Sequence, residues 1–195
     1  MSRQAEVSRQ TKETRINIRL NLDGQGKAEI STGIPFFDHM LTAFTVHGFF
    51  DLRISATGDL DVDFHHTVED TGLVLGQAIQ QTLSEKGGIH RFGDASVPMD
   101  ESLSRVTIDL SNRPYLVYNI PSDLKSRGAL DAYLAREFFQ AVCVKGGLNL
   151  HINTLYGENE HHVLESIFKA FGRSLHAATR PISKVSGALS TKGCL

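Results

Sequence analysis

Two segments of the chain place a pair of histidines three residues before a glutamate. The segments are DFHHTVED, with His65, His66 and Glu69, and ENEHHVLES, with His161, His162 and Glu165. Imidazole nitrogen with carboxylate oxygen, in the absence of thiolate, suits manganese, iron or zinc. One copy of the motif would be compatible with ordinary polar residues at a helix start. Two copies favour metal binding.

The spacing within each motif decides what the histidines can reach. Successive residues of a helix turn by about 100°, and residues four apart share a face. His65 therefore lies on the same face as Glu69, whereas His65 and His66 diverge by about 100° with Glu69 between them. Two imidazoles so placed cannot easily grip one ion, but each can reach a different ion. The second motif repeats this geometry.

Two further residues are candidate ligands because each precedes one of the motifs at a similar distance and lies beside a Phe-Phe pair. His39 in FFDHM precedes His65 by 26 residues, and Glu137 in REFFQ precedes His161 by 24 residues. A carboxylate can replace an imidazole at a hard metal ion. The candidate ligands, which suffice for two ions with positions left for a substrate and water, are His39, His65, His66, Glu69, Glu137, His161, His162 and Glu165.

These residues are positioned by an internal duplication. The motifs are 96 residues apart (161 minus 65), and each opens the last helix of a β-β-α-β-α half. Apolar spacing predicts helices at 35–48, 65–88, 131–147 and 161–179, and alternation predicts strands between them. Two short runs are expected about Thr57-Gly58, and residues 1–12 are given no structure. We expect an α+β fold with halves at 1–92 and 93–180 and a flexible tail at 181–195.

Composition narrows the classes of function. A net charge of −2 gives no electrostatic case for nucleic acid or an acidic membrane surface. No apolar run approaches the roughly 20 residues that span a bilayer, and the polar N-terminus has no signal-peptide core. Cys143 and Cys194 match neither a disulfide framework nor a CxxC site. We therefore expect a cytoplasmic protein with reduced thiols.

The motifs FFDHMLTAFTVHG, DFHHTVEDTGLVLGQAI, IHRFG, PMDESLSRVTIDLSNRPYL, GENEHHVLESIFKAFGRSL and STKG resemble the imidazoleglycerol-phosphate dehydratase family of histidine biosynthesis. The resemblance runs from about Thr11 to Gly193. It implies a hydro-lyase with two Mn²⁺ per active site that converts D-erythro-imidazole glycerol phosphate to imidazole acetol phosphate. It also implies two ferredoxin-like halves of the ribosomal protein S5 domain 2-like type. The resemblance further implies that the subunits form a 24-subunit homo-oligomer with metal sites between chains.

The resemblance also assigns roles to residues outside the motifs. It implies that Glu13 in TKET is the proton-shuttling carboxylate and that the substrate phosphate contacts Arg91, Arg113, Ser190 and Lys192. Lys169 lies eight residues after His161, roughly two helical turns, and can point into the same pocket. Glu69 and Glu165 are ligands first and could also accept protons. Together with Glu13 and Lys169, the histidines at 39, 65, 66, 161 and 162 complete the predicted substrate contacts.

The implied reaction needs help from the substrate ring, because the C–H next to the leaving hydroxyl is not acidic. Metal ions on the ring nitrogens would acidify the N–H proton, and the metal-bound imidazolate could expel the hydroxyl. A base would then take the neighbouring proton to give an enol. One departure from the pattern concerns Glu137, because many relatives have histidine there.

Two other readings of the ligand set stay open. A two-metal phosphate-ester hydrolase is compatible with it, although such sites usually have bridging aspartates and each motif supplies one carboxylate. A non-enzymatic shell assembled by metal is the other. The basic residues Arg91, Arg113, Lys169 and Lys192 count against it, because ions that only join subunits do not require them.

Overall fold

The computed structural model describes residues 3–83, 87–122, 124, 130–182, 187, 189 and 190. The elements in chain order are β1 (Gln4–Gln10), β2 (Thr14–Asn21), β3 (Ala28–Ser31), α1 (Pro35–Gly48), β4 (Asp51–Gly58), α2 (His65–Thr82), β5 (Phe92–Met99), β6 (Ser102–Asp109), β7 (Tyr115–Asn119), α3 (Ala132–Gly146), β8 (Asn149–Tyr156) and α4 (Glu160–Thr179).

The strands form two four-stranded sheets with the same topology. Their orders are β1-β2-β4-β3 and β5-β6-β8-β7, with the last strand of each order parallel to its neighbour and the others antiparallel. Alternation places one face of each sheet in the core: Ile16, Ile18 and Leu20 of β2 are fully buried. The helices therefore pack against the apolar face of each sheet.

The four helices form two layers between the sheets. Helices α1 and α2 pack on the first sheet, α3 and α4 pack on the second, and the pairs α2–α3 and α1–α4 meet in the middle. Glycine permits the close approach at equivalent places. A Cβ on Gly76 of α2 would collide with the Val142 carbonyl of α3, and one on Gly172 of α4 with the Phe44 carbonyl of α1. The duplicated α+β fold predicted from the sequence is confirmed.

Three local predictions differ from the structure. Residues 4–10 form strand β1, although Val7 is the one buried side chain in it, so its apolar signal is weak. Residues 51–58 form one strand, because β2 pairs with all eight of its residues and β3 pairs with residues 52–55 on the other side. Helix α2 ends at Thr82 with Leu83 as its C-cap, short of the predicted glycines.

The duplication brings corresponding parts of the two halves to corresponding places. Strands β2 and β6 each contain eight residues and begin directly after a tight turn. Each of these turns lies beside the start of a helix that carries a histidine pair. The boundary at residues 92 and 93 and the flexible tail stay predictions. No helix in the described ranges has the length and hydropathy needed to span a bilayer.

Candidate active site

The start of α4 and the first turns of α1 bring three candidate metal ligands together. Nε2 of His161 lies 3.0 Å from Oε2 of Glu165, and Nε2 of His39 lies 3.3 Å from the same oxygen. One ligand atom from each of the three residues lies within 4.8 Å of the others. The glutamate is buried while both imidazoles are about half exposed. The group therefore presents two nitrogens and an oxygen to an open surface.

The corresponding place in the first half is less complete. His65 and Glu69 form the same one-turn pair, with Nε2 and Oε2 3.3 Å apart. Glu137 occupies the position in α3 that His39 has in α1, but its carboxylate accepts a hydrogen bond from Arg136 at 2.9 Å. In the part of the chain that the structure describes, Glu137 joins no group of three ligands.

The histidines of each pair diverge as the helix geometry predicts. The rings of His65 and His66 have centroids 6.2 Å apart and planes at 86°, and those of His161 and His162 are 6.0 Å apart at 77°. The first histidine of each pair faces the glutamate of its own motif. The second faces carboxylates that come from elsewhere in the chain.

His66 faces two carboxylates of the first half. Its Nδ1 lies 3.0 Å from Oδ2 of Asp59, in the turn after β4, and 4.0 Å from Oε2 of Glu13, in the turn before β2. The hydrogen bond to Asp59 is the main cause that raises the pKa of His66, and the nearby charge of Glu13 raises it further. A carboxylate on Nδ1 fixes the ring and directs Nε2 outward, as second-layer partners of metal-binding histidines do.

His162 has an equivalent partner in the second half. Its Nδ1 lies 2.6 Å from Oε2 of Glu101, and its Nε2 lies 3.6 Å from Oδ2 of Asp100. Glu101 also accepts backbone hydrogen bonds from Asn159 at 2.9 Å and Glu158 at 3.3 Å. The hydrogen bond with His162, followed by that from Asn159, lowers the pKa of Glu101 to about 2. The carboxylate is therefore charged and fixed.

Sequence reasoning gave Asp59 no role, and for Asp100 and Glu101 of MDES it predicted only support of neighbouring ligands, without identifying which. Asp59 precedes the first histidine pair by six residues, and Glu101 is separated from His162 by 61 residues. The one available signal was that MDES and TKET each place a glutamate directly before an alternating strand. That signal could have paired Glu101 with Glu13.

Lys169 reaches the three-ligand group from the next turn of α4, as its spacing predicts. Its Nζ lies 2.7 Å from Oε1 of Glu165 and 3.6 Å from the sulfur of Met99. Burial raises the pKa of Glu165, but the hydrogen bond and charge of Lys169, with the bonds from His39 and His161, outweigh it and bring the pKa to about 2. Glu165 is therefore ionised and able to bind a cation.

The turn that carries Glu13 is tied to helix α2 through hydroxyl groups. Oγ1 of Thr11 accepts the backbone N–H groups of Glu13 at 3.1 Å and Thr14 at 2.9 Å. Oγ1 of Thr14 donates to Asp70, the residue after Glu69, and Asp70 also accepts from Arg9 at 3.0 Å. The position of Glu13 relative to the first histidine pair is therefore fixed by a chain of polar contacts, of which the Thr14–Asp70 hydrogen bond is buried.

The other predicted phosphate-binding residues lie elsewhere. Arg91 forms a two-pronged contact with Asp109, at 2.7 and 3.1 Å, and donates to the Leu189 carbonyl beside Ser190. Arg113 lies 3.8 Å from Asp109 and is 69% exposed. Lys192 lies outside the described residues.

Strand β6 separates these arginines from the ligands of its own half. Glu101 directly precedes its first residue, Ser102, and Asp109 is its last. Seven residue steps of about 3.3 Å span roughly 23 Å. Within one chain, the arginines and the His162 region are therefore at opposite ends of the strand.

The donor set fits a divalent metal ion of the first transition series. It offers imidazole nitrogens and ionised carboxylate oxygens that converge on half-exposed positions, and carboxylates hold Nδ1 of two histidines so that Nε2 can bind. Such a site could bind a substrate with nitrogen or oxygen donors and stabilise negative charge on it.

Comparisons with known proteins identify the family to which the chain belongs. A sequence model described as imidazoleglycerol-phosphate dehydratase matches residues 32–175. Proteins of that name from Trichlorobacter lovleyi and Geobacter sulfurreducens are 56% and 53% identical to this chain over 195 residues, covering all of both chains in each case.

Solved structures of the same family share the fold. The Pyrococcus furiosus structure, a complex with (S)-C348, is 38% identical and superimposes with a TM-score of 0.84 over 97% of this chain and 100% of that one. The Staphylococcus aureus enzyme is 39% identical, with a TM-score of 0.81 over 91% of this chain and 99% of that one. The chain belongs to the imidazoleglycerol-phosphate dehydratase family.

Proposed function

We propose that the chain removes water from D-erythro-imidazole glycerol phosphate with two Mn²⁺ ions per active site. The ions would be held by the two histidine pairs with Glu69 and Glu165, together with His39 and Glu137. The observation that carries the proposal is the group of His39, His161 and Glu165, because it combines a metal-binding donor set with the adjacent cation of Lys169.

The bound ions would act as Lewis acids that lower the pKa of the substrate ring N–H and so assist loss of the side-chain hydroxyl. The chain supplies the proton transfers. The hydroxyl of the carbon next to the ring would leave as water with the proton released from the ring N–H. Glu13 would then take the proton of the neighbouring carbon and return it to the ring nitrogen, which gives an enol that becomes the ketone. Glu13 suits this role because its side chain is about half exposed and lies beside His66.

Cationic side chains would bind the phosphate. Lys169 lies beside the metal ligands, whereas Arg91 and Arg113 lie at Asp109 on the far end of β6. A substrate with three carbons between ring and phosphate cannot bridge roughly 23 Å. This length supports a site in which the arginines come from a different chain than the metal ligands beside His162, and Ser190 and Lys192 would accompany them.

This separation supports a homo-oligomeric enzyme whose active sites lie between subunits, and we propose the 24-subunit assembly that the family resemblance implies. Each chain would contribute the metal ligands beside His162 (its metal end) to one active site, and Arg91 and Arg113 (its arginine end) to another. The duplication then serves catalysis and assembly together, because each histidine pair presents ligands in two directions.

A direct assay separates this function from phosphate-ester hydrolysis. Purified protein is incubated with imidazole glycerol phosphate and Mn²⁺, and both the enol or ketone product and free phosphate are measured. We expect product absorbance without phosphate release. Release of inorganic phosphate without the dehydrated product would instead support a two-metal hydrolase and would contradict the proposal.

A further inference from the structure

Glu13 and Glu101 occupy equivalent positions in the duplicated halves. Strands β2 and β6 each span eight residues, and these glutamates directly precede Thr14 and Ser102, where the strands begin. Each glutamate also lies beside the second histidine of the pair in its own half, His66 or His162. The duplication therefore offers the same contact twice.

The two halves use that contact differently. Glu101 binds Nδ1 of His162 at 2.6 Å and is held there by two backbone N–H groups. Glu13 lies 4.0 Å from Nδ1 of His66, too far for a hydrogen bond. Asp59 takes that nitrogen instead, with its carboxylate oxygens at 3.0 and 3.2 Å.

The sequence explains why an aspartate takes the place of the glutamate on the histidine ring in the first half only. Asp59 directly follows the last residue of β4, and the residue that directly follows β8 is Gly157, which has no carboxylate. The second half therefore has no counterpart of Asp59 at this place, and Glu101 is the carboxylate that serves His162.

We propose that Asp59 is a positioning residue that occupies Nδ1 of His66 and thereby leaves the Glu13 carboxylate free to face the substrate. This inference rests on the proposed function of Glu13 in proton transfer. A neutral imidazole has one N–H, so Nδ1 of His66 has one proton to donate. When Asp59 accepts it, Glu13 has no comparable partner on that ring.

Removal of Asp59 should convert the first half to the arrangement of the second. Glu13 needs to move by about 1 Å to reach hydrogen-bonding distance from Nδ1. His66 would keep an orienting carboxylate, so the protein would retain its affinity for metal. The carboxylate needed for proton transfer would be diverted, and kcat would fall while KM changed little.

The test compares Asp59→Ala with the unaltered chain by crystallography, Mn²⁺ binding and kinetics. We expect Glu13 within about 3.2 Å of Nδ1, kcat lower by about tenfold or more, and KM and Mn²⁺ affinity each within about threefold. Asp59→Ser replaces the alanine variant if that variant does not fold. Asp61→Asn is the matched control, because it removes an exposed carboxylate from the same turn, and it should behave like the unaltered chain.

A role of Asp59 in metal binding alone predicts a different set of results. If Asp59 serves only to orient a metal ligand, Asp59→Ala lowers Mn²⁺ affinity by roughly 10- to 100-fold and Glu13 stays in place. That result would overturn the inference. The double variant with Glu13→Gln should be no slower than Glu13→Gln alone, and an additive loss would also count against it.

A failure of the proposed function of Glu13 gives a different experimental result from a failure of the inference about Asp59. Full activity of Glu13→Gln alone would remove Glu13 from proton transfer. The position of Glu13 and the metal affinity of Asp59→Ala would still report whether Asp59 keeps the two groups apart.

Discussion

The carboxylate of Glu101 lies 2.6 Å from Nδ1 of His162, and 61 residues separate the two along the chain. Asp59 makes the matching contact with His66 in the first half. Both histidines that point away from their own motif glutamate are therefore held by a carboxylate from a neighbouring turn. This arrangement fixes which nitrogen of each ring is available to a metal ion.

Replacement of Glu101 tests that relationship. Glu101→Gln removes the charge that holds Nδ1 of His162, so the affinity for Mn²⁺ should fall by roughly 10- to 100-fold. Calorimetric titration of the metal-stripped protein measures it. Glu158→Gln is the control, because it removes an exposed carboxylate from the adjacent turn. Unchanged affinity in Glu101→Gln would show that the contact does not prepare the ring for metal.

The hydroxyl link beneath Glu13 should be measurable as stability. Thr14→Val removes the donor to buried Asp70, and a hydrogen bond to a charged group contributes about 1.5–3 kcal/mol. For a chain of this length each kcal/mol corresponds to about 2–4 °C in Tm. Thermal unfolding should show that loss for Thr14→Val and recovery in Thr14→Ser. Equal Tm values for the two variants would contradict the role of the hydroxyl.

Lys169 should make stability depend on pH through Glu165. The pKa of Glu165 is lowered from 4.5 to about 2 despite its burial, and Lys169 is the main cause of the lowering. A lowered carboxylate pKa adds stability above the usual value, and that stability is lost as pH falls toward the lowered value. In metal-stripped protein, the Tm difference between wild type and Lys169→Met should be largest above about pH 4.5.

The same difference should shrink as the pH falls toward about 2, because the unfolded chain takes up a proton at Glu165 below about 4.5, whereas in the folded wild type Glu165 is half protonated only at about 2. Lys145→Met provides the control, since Lys145 is an exposed lysine on a different helix, and its effect should not follow this pH window. A Lys169→Met deficit that is constant with pH would show that the lysine acts by packing alone.

Co-expression tests whether active sites lie between chains. His161→Ala removes a metal ligand and Arg113→Ala removes a phosphate contact, and each variant alone should be inactive or nearly so. Mixed oligomers should recover about a quarter of wild-type activity if one site takes its metal end and its arginine end from different subunits. No recovery in mixed oligomers of the correct size would place both ends in the same chain.

The fold was predictable where side-chain periodicity is strong. Helix α1 spans Pro35–Gly48 as the apolar spacing indicated, because its buried stripe leaves a clear 3.6-residue pattern. Strand β1 was missed because its outward residues are polar and one buried valine gives no alternation. The end of α2 was misplaced because a glycine pair is a helix stop signal of limited precision, and the chain leaves the helix at Leu83.

The sequence predicted those features of the site that depend on the geometry of a single helix. The divergence of His65 and His66 follows from the rotation per residue, and the contact of His161 with Glu165 follows from their spacing. The contacts of His66 with Asp59 and of His162 with Glu101 depend on how turns pack against helix starts. Local patterns do not encode that packing, so these partners emerged from the structure.

The central claim is that the duplicated histidine pairs bind two metal ions that are needed for dehydration. The most direct measurement is to strip the protein with a chelator, add Mn²⁺ stepwise, and follow both bound metal and formation of the dehydrated product from imidazole glycerol phosphate. The account predicts an inactive metal-free protein that separates into smaller species, and full activity and assembly at two bound ions per chain. A metal-free protein that stays assembled and dehydrates the substrate at the full rate would contradict it.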